Sequence, residues 1–497
     1  MLEGMPTAAA ELDVLDAPQA GERAVRGSAL RSGGYVLGIL LSLISAPLLV
    51  RHLGNEGFGI YITITAIVGV IAGVTDVGVT SVGVREWAAR EASERRALLS
   101  NLLGARLTLT AIGCVGALAF GLAAGYEAMR MAALAVACGG LLLLVCSDAL
   151  GVPLQAELRQ GWMALADLLR QTVQVSLILA LILAGAGLVP LLATAIPAGL
   201  AAIVLIVSVS RQGLVRPAMH PRAWWALMHA SLPFALASAL AVVYLRTTVI
   251  VTSLIAGSVQ TGYFAVAYRV MEVLIGVPVI LVGALFPVLA RAAVSDHERL
   301  RGATARTFEG AVACGALAAV CVVAGAPLAI QILSGEQPLP AIEALAILGI
   351  GLGFSFVGAS SQFALLALHR HRSILLTNVV ALLMNLTLTL VLVPDHGARG
   401  AALALTISEV MVATLSTTLF ARTIGGFALP WSVLARTAVA AALGVGTALM
   451  LKDVGILAEA LGTALVCLGA GLGLRALPPE LAMLFKAALP RAWRSEA

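Results

Sequence analysis

The chain has 497 residues, of which 60% are hydrophobic and only 11% charged, and its mean hydropathy is +1.01. A soluble domain carries about a quarter charged residues, so this composition excludes a large soluble domain. The net charge of +5 is not laid out as a nucleic-acid-binding stripe, and no nucleic-acid partner is expected.

Residues 1–28 include Glu3, Glu11, Asp13, Asp16 and Glu22 and have no apolar core. They do not read as a signal peptide, and a flexible cytoplasmic tail is expected there. Hydrophobic blocks of about 20 residues follow, long enough to cross the hydrocarbon core as helices. Fourteen are predicted, at 29–50, 59–82, 102–124, 131–151, 162–184, 188–209, 227–255, 262–289, 308–332, 340–367, 373–393, 399–420, 433–451 and 455–474. Strands of a membrane barrel would be about 10 residues long with alternating polarity, and no such series occurs. The fold class expected is therefore an all-α polytopic membrane protein.

Basic residues mark the sides. Twenty-two of the 31 Lys and Arg fall in alternate gaps and the tails, four (Arg51, Arg130, Arg399 and Lys452) in the other gaps, and five within blocks. Cytoplasmic loops collect Lys and Arg, so both termini are expected in the cytoplasm of a multi-pass cell-membrane protein. Two Lys against 29 Arg, with heavy use of Ala, reads as high-GC coding and points to a bacterial inner membrane.

The chain also repeats itself. Gly54 is followed by Gly59-Ile60-Tyr61, and Gly257 by Gly262-Tyr263-Phe264. Gly185-Ala186-Gly187 has a counterpart in Gly397-Ala398-Arg399-Gly400. Six blocks separate the copies, an even number, so both copies insert the same way up, as a parallel repeat. The expected domains are a tail (1–28), a six-helix lobe (29–210), a basic linker (211–226), a second six-helix lobe (227–421), two additional helices (433–475) and a cytoplasmic tail (476–497).

Charges within lipid are costly and normally face protein or water. Asp76, Asp148, Asp167, Arg170, Arg246, Arg269, Glu272, Glu409, Arg436 and Glu459 are the candidates. Asp167 with Arg170, and Arg269 with Glu272, have the i, i+3 spacing of helix-surface pairs. Arg246 has no carboxylate within one turn, so its partner is either an anionic substrate or another helix's carboxylate, such as Asp76 or Glu409. Asn378 and Asn385 share a helix face. No P-loop, catalytic set, Cys/His cluster or metal site is present in the sequence. No cofactor is expected beyond a coupling Na+ or H+, for which Asp76, Glu272, Asn378, Asn385 and Glu409 are the polar candidates.

Several segments resemble a known family. Arg51-His52-Leu53-Gly54 with Gly57-Phe58-Gly59-Ile60-Tyr61 resembles the first hairpin of the polysaccharide flippases. Asp76-Val77-Gly78 with Val84-Arg85 resembles the end of their second helix, and Gly262 to Arg269 with Pro278 and Phe286-Pro287 their eighth. Asn385, then Val393-Pro394-Asp395-His396-Gly397 and Gly400-Ala401-Ala402, is similar to their eleventh-to-twelfth hairpin. The resemblance spans about 30–420. It implies membership of the multidrug, oligosaccharidyl-lipid and polysaccharide exporters, whose fourteen-helix members carry lipid-linked sugars.

The resemblance further implies two lobes of the multidrug-extrusion type working by alternating access, and no enzymatic activity. It implies flipping of an undecaprenyl-pyrophosphate-linked oligosaccharide to the outer leaflet for polysaccharide export, beside membrane lipids and a polymerase and glycosyltransferase complex. Arginines of the cavity would meet the pyrophosphate. Arg269 is similar to the helix-eight arginine of the lipid-linked peptidoglycan-precursor flippases and Arg51 to that of the first-hairpin motif, while Arg246 and Arg31 are further candidates. One departure is the seventh helix, where Arg246-Thr247-Thr248 stands in place of the acidic residue of some relatives. Alternatives left open are a cation-coupled drug antiporter of the same fold, a membrane polymerase or ligase, and a scaffold for glycan synthesis.

Overall fold

A computed structural model describes residues 20–76, 79–210, 212–295, 297–426, 431–474 and 476. The described residues form helices α1 (Ala20–Asp76), α2 (Val79–Ala89), α3 (Ala92–Ala123), α4 (Ala128–Leu150), α5 (Val152–Ala156), α6 (Gln160–Leu183), α7 (Leu188–Ala193) and α8 (Ala195–Val209). They continue with α9 (Pro221–Ile255), α10 (Gly257–Ser295), α11 (His297–Ser334), α12 (Leu339–Ala367), α13 (His371–Thr423), α14 (Trp431–Leu451) and α15 (Ile456–Gly473). Eleven helices among the described residues are long and apolar enough to cross a membrane, and Ala239–Ile255 is a shorter apolar one. This is an all-α multi-pass membrane protein. Residues 1–19 of the expected amino-terminal tail, and all of the expected carboxy-terminal tail except Ala476, lie outside the described residues.

Within the described residues every predicted block falls on helix, although the element count differs from fourteen for physical reasons. Two pairs of blocks are joined without an intervening loop. Within α1 the backbone breaks only at Gly54 (φ 68°, ψ 179°), and within α13 only at Gly397 (φ 54°, ψ −127°). A side chain at positive φ is strained, and glycine is not, so each pair can fold back on a single residue. At Gly397 the turn is held from outside: the backbone N–H of Ala398 donates to Gln260 Oε1 at 3.1 Å. The sixth block is instead split, into α7 and α8. Pro197 has no N–H to offer the carbonyl four residues earlier, and the helix parts at Thr194, whose hydroxyl donates to Leu191 O at 2.7 Å.

The chain packs as two compact units. Among the described residues, one comprises those up to Ser45 together with Thr75–Ala235, the other Ala46–Val74 together with those from Leu236 on. In the first, Trp87 of α2 is buried with Leu98, Leu99 and Leu102 of α3 and Val152 of α5. Leu103, Leu150, Leu154, Met163 and Ile206 bring α3, α4, α5, α6 and α8 together in an adjoining core. In the second unit, α12 packs on α10, α11 and α13, and α14 and α15 dock on α11. That last contact is built from Ala313, Leu317, Ala440 and Cys467.

In the second unit two similar glycine turns meet each other. A Cβ on Gly59 would overlap the carbonyl of Ser258, and one on Gly262 the carbonyl of Asn55. Asn55 follows Gly54 as Ser258 follows Gly257, so the two contacts exchange equivalent residues, the pattern of a local two-fold. Ser258 Oγ also donates to Glu56 Oε1 at 3.1 Å.

Candidate functional site

Helices α9 and α10 bring three ionisable side chains together. Arg246 Nη2 donates to Glu272 Oε1 at 2.9 Å, and Arg269 Nη1 donates to Glu272 Oε2 at 2.6 Å. The Arg269–Glu272 contact follows from the helix, because residues three apart are neighbours on its surface. The Arg246 contact is made between helices. The side chains are 30%, 25% and 29% exposed for Arg246, Arg269 and Glu272, so each pair contributes about 1 kcal/mol or less once solvent screening is counted. Two guanidiniums on one carboxylate leave a formal charge of +1. A guanidinium has five N–H donors in a planar fork suited to phosphate oxygens, so the cluster can take an anion.

Helix α1 passes close by. A Cβ at Gly69 would lie 3.5 Å from Arg246 Nε, and one at Gly73 would lie 2.7 Å from Val242 Cγ1. Glycine at these positions lets the second segment of α1 run against α9 beside the arginine.

Behind Arg246, α9 is bonded to its neighbours. Tyr244 Oη donates to Glu409 Oε1 at 2.8 Å. Asn385 Nδ2 donates to Thr248 Oγ1 at 2.8 Å, and Tyr268 Oη donates to the carbonyl of Leu245 at 3.1 Å. Tyr244, Tyr268 and Thr248 carried no charge signal in the sequence. The four-residue spacing of Tyr244 and Thr248 was the only trace of a shared face.

The sequence candidates thus separate. Arg246, Arg269 and Glu272 come together, and Asn385 and Glu409 stand behind α9. Of the alternatives open for Arg246, an anionic substrate or another helix's carboxylate such as Asp76 or Glu409, the structure places it against a carboxylate of a neighbouring helix, Glu272 of α10. Asn378, two turns before Asn385, joins none of these contacts. Arg51 is exposed and donates through Nη2 to Ile332 O at 2.7 Å, where it caps the last turn of α11, a favourable place for a cation. Asp76 belongs to the first unit and pairs with Arg106 at 2.6 Å, the arginine side chain being 5% exposed. Asp148 lies in the last turn of α4. The side chain of Arg31 lies outside the described residues. Among the described residues, no group of three or more His, Cys, Asp or Glu could hold a metal ion.

Comparison with known proteins places this geometry in context. The family described as polysaccharide biosynthesis protein matches residues 24–293, more than half of the chain. No curated protein matches the sequence. Among solved structures, the lipid II flippase MurJ in an inward closed conformation is similar, with a TM-score of 0.72, 14% identity and coverage of 90% of this chain and 99% of that one. A multidrug resistance MATE family transporter of the MOP superfamily, in an inward-facing conformation, gives a TM-score of 0.64 at 17% identity, covering 78% of this chain and 94% of that one. A MOP superfamily transporter from Pyrococcus furiosus gives 0.51 at 17% identity, covering 84% and 99%. At such identities the likeness is one of fold.

Proposed function

The chain belongs to the polysaccharide biosynthesis protein family, and from that premise we propose that it is a membrane transporter of the MOP superfamily and flips a lipid-linked oligosaccharide. The substrate is an oligosaccharide on undecaprenyl pyrophosphate, carried by alternating access from the cytoplasmic to the outer leaflet of a bacterial inner membrane. Both termini lie in the cytoplasm, as the placement of the arginines indicates. Glycosyltransferases supply the substrate and a polymerase consumes it.

The observation that carries this reading is the cluster of Arg246 and Arg269 on the single carboxylate of Glu272. A cation drug would meet net positive charge there. A pyrophosphate meets two guanidiniums held by one internal anion. Glu272 is the resident counter-ion that the substrate's phosphates displace, and its return helps release them. The carboxylate keeps the arginines paired when no substrate is bound, which lowers the cost of two like charges at membrane depth.

The test is translocation in proteoliposomes of the purified chain, using an undecaprenyl-pyrophosphate-linked oligosaccharide with a labelled sugar. The wild-type chain is expected to move it, and Arg246→Gln and Arg269→Gln to lower the rate at least about tenfold, the effect of about 1.4 kcal/mol. If no carrier-linked glycan moves, or both variants work at the wild-type rate, the proposal fails.

A further inference from the structure

Three consecutive alternate residues of α9 do different things. Tyr244 and Thr248 stand four apart and share one face of the helix, while Arg246, two residues from each, projects from another. The shared face is bonded to α13 on both sides of the break at Gly397. Asn385, before the break, donates to Thr248 Oγ1 at 2.8 Å and to the carbonyl of Tyr244 at 3.5 Å. Glu409, after the break, accepts from Tyr244 Oη at 2.8 Å. On the α10 side, the carbonyl of Leu245 accepts from Tyr268 Oη at 3.1 Å. The backbone just before Arg246 is therefore held from two directions, and the Thr248 side chain after it from one.

The same atoms weigh against an ion-carrying role for these residues. A carboxylate that loads and unloads an ion in a membrane needs a watery path. Glu409 is 8% exposed, Thr248 1% and Asn385 0%. Glu409 and Asn385 bond to α9, at Tyr244 and Thr248. Buried polar groups satisfied in this way fix one arrangement of their helices.

We infer that Asn385 and Glu409 are positioning residues for Arg246 and carry no coupling ion. They set the rotation and height of α9 so that the guanidinium reaches Glu272 on α10. This rests on the reading of the Arg246, Glu272 and Arg269 cluster as an anion site. It assigns the polar residues behind that site to its geometry, and what they require is hydrogen bonding rather than negative charge.

The test uses the full chain purified in detergent, with inorganic pyrophosphate as the probe. Glu409→Gln keeps an acceptor for Tyr244 and is expected to bind within about twofold of wild type, with no change in the sodium or pH dependence of binding. Glu409→Leu, Tyr244→Phe and Asn385→Leu each remove a buried hydrogen bond and are expected to weaken binding about fivefold or more. Loss of binding in Glu409→Gln equal to that in Glu409→Leu would make the charge essential and overturn the inference. So would wild-type binding in Glu409→Leu.

A second measurement is independent of pyrophosphate. Thermal unfolding is followed for Glu409→Leu, Glu272→Gln and the double variant. If the brace holds Arg246 against Glu272, the two losses are non-additive, since removing Glu272 leaves less for the brace to support. Additive losses overturn the inference even where pyrophosphate binds. Non-additive losses in a chain that binds no pyrophosphate keep the brace and remove only the anion-site reading.

Discussion

Gly59 and Gly262 lie back to back, each facing the carbonyl beside the other's turn: Gly59 that of Ser258, and Gly262 that of Asn55. The two positions follow similar glycine turns in the sequence, and one close approach of backbones is made twice. No side chain intervenes, and neither carbonyl can move without disturbing a helix.

Alanine at either position is therefore expected to destabilise the protein strongly. Overpacking in a core costs about 1–3 kcal/mol, and here the obstacle is backbone, so the upper end applies. Gly116→Ala is the control, because a Cβ there meets nothing within 4 Å and alanine favours helix by about 1 kcal/mol. Thermal unfolding in detergent should rank Gly262→Ala and Gly59→Ala well below wild type, with Gly116→Ala at or above it.

The shared carboxylate gives a prediction of opposite sign. Glu272→Gln leaves Arg246 and Arg269 without the carboxylate they share, and one negative charge is removed from the site. Inorganic pyrophosphate is expected to bind about tenfold more tightly, equivalent to about 1.4 kcal/mol, and translocation to slow because release is impeded. The added affinity should fall steeply with salt. Weaker binding in Glu272→Gln would count against Glu272 as a displaced counter-ion.

Arg51 makes its hydrogen bond at the carboxy-terminal turn of α11, to Ile332 O. Arg51→Gln is expected to cost stability, by about 1 kcal/mol or less for an exposed contact, and to leave the translocation rate per folded molecule within about twofold of wild type. A tenfold loss of rate with an unchanged unfolding midpoint would place Arg51 on the substrate path after all.

In the first unit, Arg106 is almost fully buried and pairs with Asp76. Asp76→Asn weakens the anion beside a buried guanidinium, but the Asp76 side chain is 41% exposed, so with solvent screening a loss of about 1 kcal/mol is expected. The double variant Asp76→Asn/Arg106→Met removes the stranded charge and should unfold at a higher temperature than Asp76→Asn alone. The reverse order would mean that Arg106 is stabilised by something other than this pair.

The helices were legible because lipid leaves the backbone no partner but itself, and each block of apolar residues had to be helical. The Arg269–Glu272 contact was legible for a similar local reason, since three residues along a helix is a spatial neighbour. The Arg246–Glu272 contact was not. It joins residues 26 apart on two helices, and nothing in the local spacing says which face of α9 meets α10. Asn385 and Glu409 were found as polar residues in apolar helices, but their partners, Tyr244 and Thr248, are neutral and raise no signal in a search for charge.

By itself the sequence determined that this is a multi-pass helical membrane protein, where its helices run, and which few polar side chains lie among them. Those properties follow from the solvent, because every residue in a bilayer answers to the same hydrocarbon. Only the tertiary structure decided which of those side chains meet. Arg246 joined Arg269 on Glu272, Arg51 went to the end of α11, and Asp76 was occupied by Arg106, because rotation of each helix about its axis is set by packing with its neighbours. The glycines at 59 and 262 show both levels at once. Their five-residue spacing from Gly54 and Gly257 was visible in the chain, and their mutual contact exists only when the two turns are brought together.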